Sequence, residues 1–243
     1  MASSKGTGDS AFCFVSFFIV MERYYMNSWT SARDKRIAAR KKSESQIPDL
    51  MLARGTAIQA YAYVESCLSS LLARLLKTDY IAAGTVFLYI VNTRSRNAIL
   101  KDLFKMRFKK KYSKYWQSLM SFISRLDAER NEIVHWHTVI NYEGRRSMPS
   151  EPKLMKPDFW NLSRRKKAHT LDTIQEFTER CHFVGASLTE FESLPKRRGK
   201  RNGERVNTWR EIFSQPIVYP PPRTHPLYQT PQERKTQRES SEE

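Results

Sequence analysis

ARGTAIQAYAYVESCLSSLLARLLK, residues Ala53 to Lys77, sets the class of fold. After Gly55 it contains neither Gly nor Pro. Ile58, Tyr61, Val64, Cys67, Leu68, Leu71, Leu72 and Leu75 recur at spacings of three and four. With about 3.6 residues per turn, those positions line one side of a helix and form an apolar stripe that faces a core.

Downstream, Asp79 suits the cap of a second helix, Tyr80 to Asn92, which is apolar nearly all round. Such a helix is expected to be central or to form a subunit interface. A third helix is expected over Ser95 to Lys111, with Ile99, Leu100, Leu103, Phe104 and Phe108 inward. A fourth begins near Ser113, carries Trp116, Leu119, Met120, Ile123 and Leu126 as its stripe, and leads into AERNEIVHW. Beyond His135 the period changes: WHTVINY is β-prone, and Glu143 to Arg146 reads as a turn. Three prolines between Ser147 and Trp160 predict an irregular connection. Thr170 then caps a last helix to about Leu194, with Leu171, Ile174, Phe177, Cys181, Val184, Leu188 and Phe191 on its stripe. The expected class is all-α, a mainly helical bundle with a small β-hairpin after the fourth helix.

Three segments follow from this pattern: an N-terminal basic and apolar extension, residues 1–52, poorly ordered; a helical domain, residues 53–194; and a basic, Pro-rich tail, residues 195–243. KRRGKRNGER and the proline-rich stretch after it hold too little apolar surface to offset their ordering entropy, so the tail is expected to be disordered. The apolar run Ala11 to Met21 is shorter than the about 20 residues a bilayer requires. It has the length of a signal-peptide core, but no small-x-small cleavage site follows it. Initiation at Met21 or Met26 is one reading of this region, and secretion or a membrane anchor is another. Cys13, Cys67 and Cys181 are too few and too scattered for a disulfide framework, which points to a reducing compartment. The expected location is the cytoplasm.

The formal charge of +17 draws polyanions to the chain and names nucleic acid as the expected partner, ahead of an anionic membrane face. The stretch from Lys101 to Lys114 interleaves Phe104, Phe108, Tyr112 and Tyr115 with lysines. Lys105, Lys109, Lys110, Lys111 and Lys114 would neutralise phosphates, while exposed aromatics would stack on bases. Phe104 and Phe108 themselves read as core. Arg164 and Arg165, with Lys166 and Lys167, form a second basic cluster.

Arg130-Asn131-Glu132-Ile133-Val134-His135 carries the chemistry. Asn131 and His135 share a helix face, and Arg130 lies about 140° around from His135, within reach of a long side chain. A phosphate would meet a guanidinium fork, an amide and an imidazole able to move protons near neutral pH. Cleavage of RNA by its own 2′-hydroxyl requires little else: a base for that hydroxyl, an acid for the leaving 5′-oxygen, and no metal.

This segment resembles the HEPN superfamily, helical-bundle domains many of which are metal-independent endoribonucleases. Their signature is an Arg, a polar residue after it, and a His four to six residues beyond the Arg. Arg130, Asn131 and His135 match that pattern. Glu65, in YAYVESCLSSLLARLL, and the arginine-bearing TRSRNAILKDLF, with Arg94 and Arg96, extend the likeness over Ala53 to Leu194. The resemblance implies that His135 is the catalytic acid or base, Arg130 the phosphate clamp and Asn131 the positioning residue. It also implies that Glu65 supports Arg130. It further implies a homodimer with a composite site, an antitoxin or regulatory protein as partner, a role in defence or stress, and no cofactor.

Other readings stand beside it. The superfamily includes non-catalytic RNA-binding and protein-interaction modules. Arg130 with Glu65 would serve equally as a plain salt bridge, with His135 a hydrogen-bonded core residue. His135 and His137 have a zinc-like spacing but no third ligand at a sensible interval. Glu129 and Glu132 read as a solvated face or as partners for Arg125 and Arg130. Phe12 to Val20 would make a shallow anchor for a basic membrane-surface protein.

Overall fold

The computed structural model describes residues 33–140, 150–157, 167–194 and 203–230, together with residues 31, 232, 233 and 236. The chain forms two units, one of Met1–Pro48 with Thr138–Pro152 and one of Asp49–His137 with Lys153–Glu243. The described residues are mostly helical, with three short strands, which is the all-α class the periodicity predicts. Among them, no helix is long and apolar enough to cross a membrane.

In the smaller unit, residues 33–45 are helical, and Arg40 bonds Glu44 one turn ahead at 2.7 Å. The extension is therefore structured from residue 33 onward. Residues 1–30, including the apolar run and Cys13, lie outside the described residues.

Helix α1 runs Ile47–Leu76, starting six residues before the stripe predicts. Pro48 sits in its first turn, where a residue without an N–H leaves no helical bond unmade. Tyr61, Val64, Leu68, Leu71, Leu72 and Leu75 are buried as the spacing requires. At the far end Lys77 takes a left-handed conformation (φ 57°), and the Thr78 N–H reaches back to the Ala73 carbonyl at 3.0 Å, closing the helix. Asp79 accepts the Ala82 N–H and caps α2, Tyr80–Tyr89. Helix α3 spans Thr93–Phe108 and α4 spans Ser113–His135. Strand β1 is His137–Val139. The connection expected to be irregular contributes β2, Lys153–Met155, which pairs antiparallel with β3, Ala168–His169, in the register Leu154 to His169. The turn predicted at residues 143–146 lies outside the described residues. Helix α5 covers Leu171–Ser193 and is capped by Thr170.

Two expectations are corrected. Helix α2 is not central: only Ala83 and Phe87 are buried, while Ile81, Leu88 and Tyr89 are each more than 70% exposed. Its composition called for an apolar neighbour, and this chain supplies one along a single edge. The second concerns the tail. Helix α6, Gly203–Ile212, and residues 213–230 belong to the folded unit. Val206, Trp209 and Phe213 recur at helical spacing and are buried, against a charged and proline-rich background.

The core that receives them is aromatic. Phe104 of α3 stacks on Trp116 of α4 at 4.1 Å, and Phe191 of α5 meets Phe104, Phe108, Tyr115 and Phe213 at 5.0–5.7 Å. Trp209 stacks on Phe213 at 5.2 Å. Rings from α3, α4 and the turn after α6 thus converge on Phe191 of α5, and each such pair adds about 0.5–1.5 kcal/mol beyond its buried area.

Candidate functional site

The motif occupies the last turn and a half of α4, where the helix leaves the core. Ile133 is fully buried and fixes the rotation of the helix. Arg130 is half-buried, and Asn131 and His135 face solvent. Arg130 Nη1 donates to Asn131 Oδ1 at 2.9 Å, and its guanidinium carbon lies 5.0 Å from the centre of the Tyr61 ring. Tyr61 is held in turn: its hydroxyl donates to Asp127 Oδ1 at 3.0 Å. Burial, together with that carboxylate, pushes its pKa far above the ordinary phenol range, so Tyr61 stays neutral. Arg130 is therefore oriented by a ring and an amide, and it has no carboxylate partner among the described residues.

The remaining acids of the segment are matched elsewhere. Glu129 takes Arg180 of α5 in a two-pronged pair at 2.8 and 2.9 Å, both side chains being mostly buried. Glu132 Oε2 accepts His169 Nε2 at 2.9 Å and is also bonded by Lys167 Nζ. Burial alone would raise the Glu132 pKa, but the bonds from Lys167 and His169 outweigh it and hold the carboxyl below its ordinary range. His169 is buried on β3 with its ring against Trp136. The β2–β3 ribbon and α5 thus clamp the motif helix from its flanks. These acids bind neither Arg125 nor Arg130, contrary to one of the expectations above.

Glu65 is likewise claimed by another residue. Its carboxylate pairs with Arg96 of α3 at 2.9 Å, and Arg96 lies over the Phe87 ring of α2 at 4.8 Å. The expected support of Arg130 by Glu65 is replaced by support from Tyr61, one turn earlier on the same face of α1. The core-histidine reading also fails, because His135 is exposed. At the helix terminus Arg54 Nη2 donates to the Val134 carbonyl at 2.5 Å, occupying one of the acceptors a helix end leaves open. Sequence reading missed Arg54, Tyr61, Lys167 and His169 as members of the site. Tyr61 carried a signal as a polar-tipped aromatic on the α1 stripe, and Lys167 as a member of the second basic cluster.

The lysines stand apart from the motif. Lys105, Lys109, Lys110, Lys111 and Lys114 are exposed around the junction of α3 and α4. Lys114 and His135 are separated by nearly the whole of α4, about 30 Å at 1.5 Å per residue. Tyr112 and Tyr115 are buried, so the cluster offers charge without a stacking platform. Arg164 and Arg165 lie outside the described residues. Cys181 sits in the core, and burial pushes its thiol up to about 12, which removes it from nucleophilic chemistry at neutral pH. No family model matches the chain, and no curated protein or solved structure matches it.

Proposed function

We propose that the chain is a metal-independent endoribonuclease of HEPN type. The observation that carries the reading is the pairing of an oriented Arg130, without a carboxylate partner among the described residues, with an exposed His135 on one helix end. A phosphodiester set against Arg130 replaces the missing anion, and Asn131 offers its amide N–H groups beside it. The ribose 2′-hydroxyl attacks the adjacent phosphorus, its proton passes to a base, and the departing 5′-oxygen takes a proton from an acid. His135 performs one of these transfers. His135 of a second copy performs the other.

The homodimer in this proposal uses α2. From Tyr80 to Asn92 there is no charged residue, so two copies of a chain carrying +17 can approach there without meeting each other's cations. The path from Arg130 through Tyr61, then Glu65 one turn on, to Arg96 and Phe87 puts the α2 face a few side chains from the motif. The lysines at the opposite end of α4 bind flanking phosphates of the same RNA.

The test is cleavage of a labelled mixed RNA pool in EDTA by the wild type, His135→Ala and Arg130→Ala, each checked for folding. Cleavage by the wild type alone is the expected result. Equal cleavage by all three, or none by any, would sink the proposal in favour of a non-catalytic binding module.

A further inference from the structure

Helices α1 and α4 meet antiparallel at the motif. Tyr61 bonds Asp127, and seven residues earlier on α1 Arg54 bonds the carbonyl of Val134, seven residues later on α4. Arg54 therefore ends beside His135, the last residue of α4. We propose that Arg54 is the second phosphate contact of the site, gripping the phosphate that neighbours the one held by Arg130. The inference rests on the reading of this helix end as an RNA site.

A helix C-terminus is an unfavourable place for an anion. Its open carbonyls carry about −0.5 of an elementary charge, which repels a phosphate brought to His135. The chain covers that end in two ways. The Trp136 N–H bonds the Glu132 carbonyl at 2.9 Å, and the Arg54 guanidinium bonds the Val134 carbonyl. Only the second brings a full positive charge. A guanidinium has about five N–H donors in a planar fork, so it can hold a carbonyl and an oxyanion at once. Among the described residues Arg54 has no carboxylate partner. The acids on the last turns of α4 are engaged elsewhere: Asp127 by Tyr61, Glu129 by Arg180, and Glu132 by Lys167 and His169. Arg54 is half-buried and so restrained, whereas Gly55 beside it is exposed, and a Cβ built there would meet nothing within 4 Å. The surface next to Arg54 is thus open to a strand. Val134 lies four residues beyond Arg130, about 6 Å along the axis, so one strand can present successive phosphates to the two arginines.

A deoxythymidine dinucleotide, with one phosphate, and the trinucleotide, with two, are titrated into the full chain at low salt. Neither carries a 2′-hydroxyl, so both stay intact. The expected result is about tenfold tighter binding of the trinucleotide by the wild type. Arg54→Gln, whose amide can still donate to the Val134 carbonyl, erases that preference. Arg54→Lys, which keeps the charge, retains at least about threefold of it, and thermal melting confirms that both variants are folded. A merely structural Arg54 would weaken the two probes alike and leave their ratio unmoved. Equal affinity of the wild type for the two probes overturns the proposal, as does an undiminished preference in Arg54→Gln or no binding of either probe at millimolar concentration. A wild type that binds as stated but leaves RNA uncut refutes the nuclease reading and still supports the Arg54 contact.

Discussion

The guanidinium of Arg130 rests against the Tyr61 ring at 5.0 Å, and Tyr61 is itself anchored to Asp127 on the motif helix. Arg130 is thus positioned from α1 as well as from α4. A ring without a hydroxyl keeps the cation contact, whereas an aliphatic side chain loses it. Tyr61→Phe is expected to retain RNA cleavage within about threefold, and Tyr61→Leu to lose about tenfold, the loss falling on kcat/KM. Steady-state kinetics on a short oligoribonucleotide check this. Equal activity of the two variants would show that the ring does not position Arg130.

Glu132 makes acid stability readable. Its folded pKa is depressed by Lys167 and His169, so its contribution is present above the ordinary carboxylate range and is lost as pH falls through the folded value. Denaturant midpoints measured from pH 7 down to pH 3 are expected to fall more steeply for the wild type than for Glu132→Gln. Parallel curves would mean that the contact adds no stability.

The lysines at the α3–α4 junction are expected to set affinity and salt dependence rather than chemistry. Lys109, Lys110 and Lys111 are exposed just before α4, at the end opposite His135. Neutralising all three with Gln is expected to lower the logarithmic salt slope of single-stranded RNA binding by about two. Cleavage of a dinucleotide, too short to reach them, stays unchanged. A drop in dinucleotide cleavage would contradict that division of labour.

Trp209 tests the correction to the tail. It is buried on α6 and stacks on Phe213, so Trp209→Ala is expected to cost about 3–5 kcal/mol in equilibrium unfolding. A loss below about 0.5 kcal/mol would return the segment after residue 203 to the status of an appendage.

The helical frame was legible because burial follows period. Tyr61, Val64, Leu71 and Ile174 are buried where a 3.6-residue repeat puts them, and Asp79 and Thr170 cap the helices they precede. Composition failed where it was averaged over too long a window: Val206, Trp209 and Phe213 form a clean stripe inside a stretch dominated by Arg, Lys and Pro. Hydrophobicity also states that a side chain resists water without stating which surface will cover it, which is why the sequence left α2 either at the centre or at a subunit interface, and the chain's own core covers only Ala83 and Phe87. At the site, residue types and spacing located the Arg130 to His135 segment. They could not choose between Arg96 and Arg130 as the partner of Glu65, or bring Tyr61 to Arg130. Those choices depend on how α1, α3 and α4 are rotated against one another.

The central claim is that RNA is cut by its own 2′-hydroxyl at the Arg130–His135 site. The most direct measurement is the chemistry of the new 3′ ends left by the wild type in EDTA, read by mass spectrometry. The account predicts 2′,3′-cyclic phosphates, absent with His135→Ala. New ends bearing a free 3′-hydroxyl would contradict it, because they require water or another external nucleophile to attack in place of the ribose.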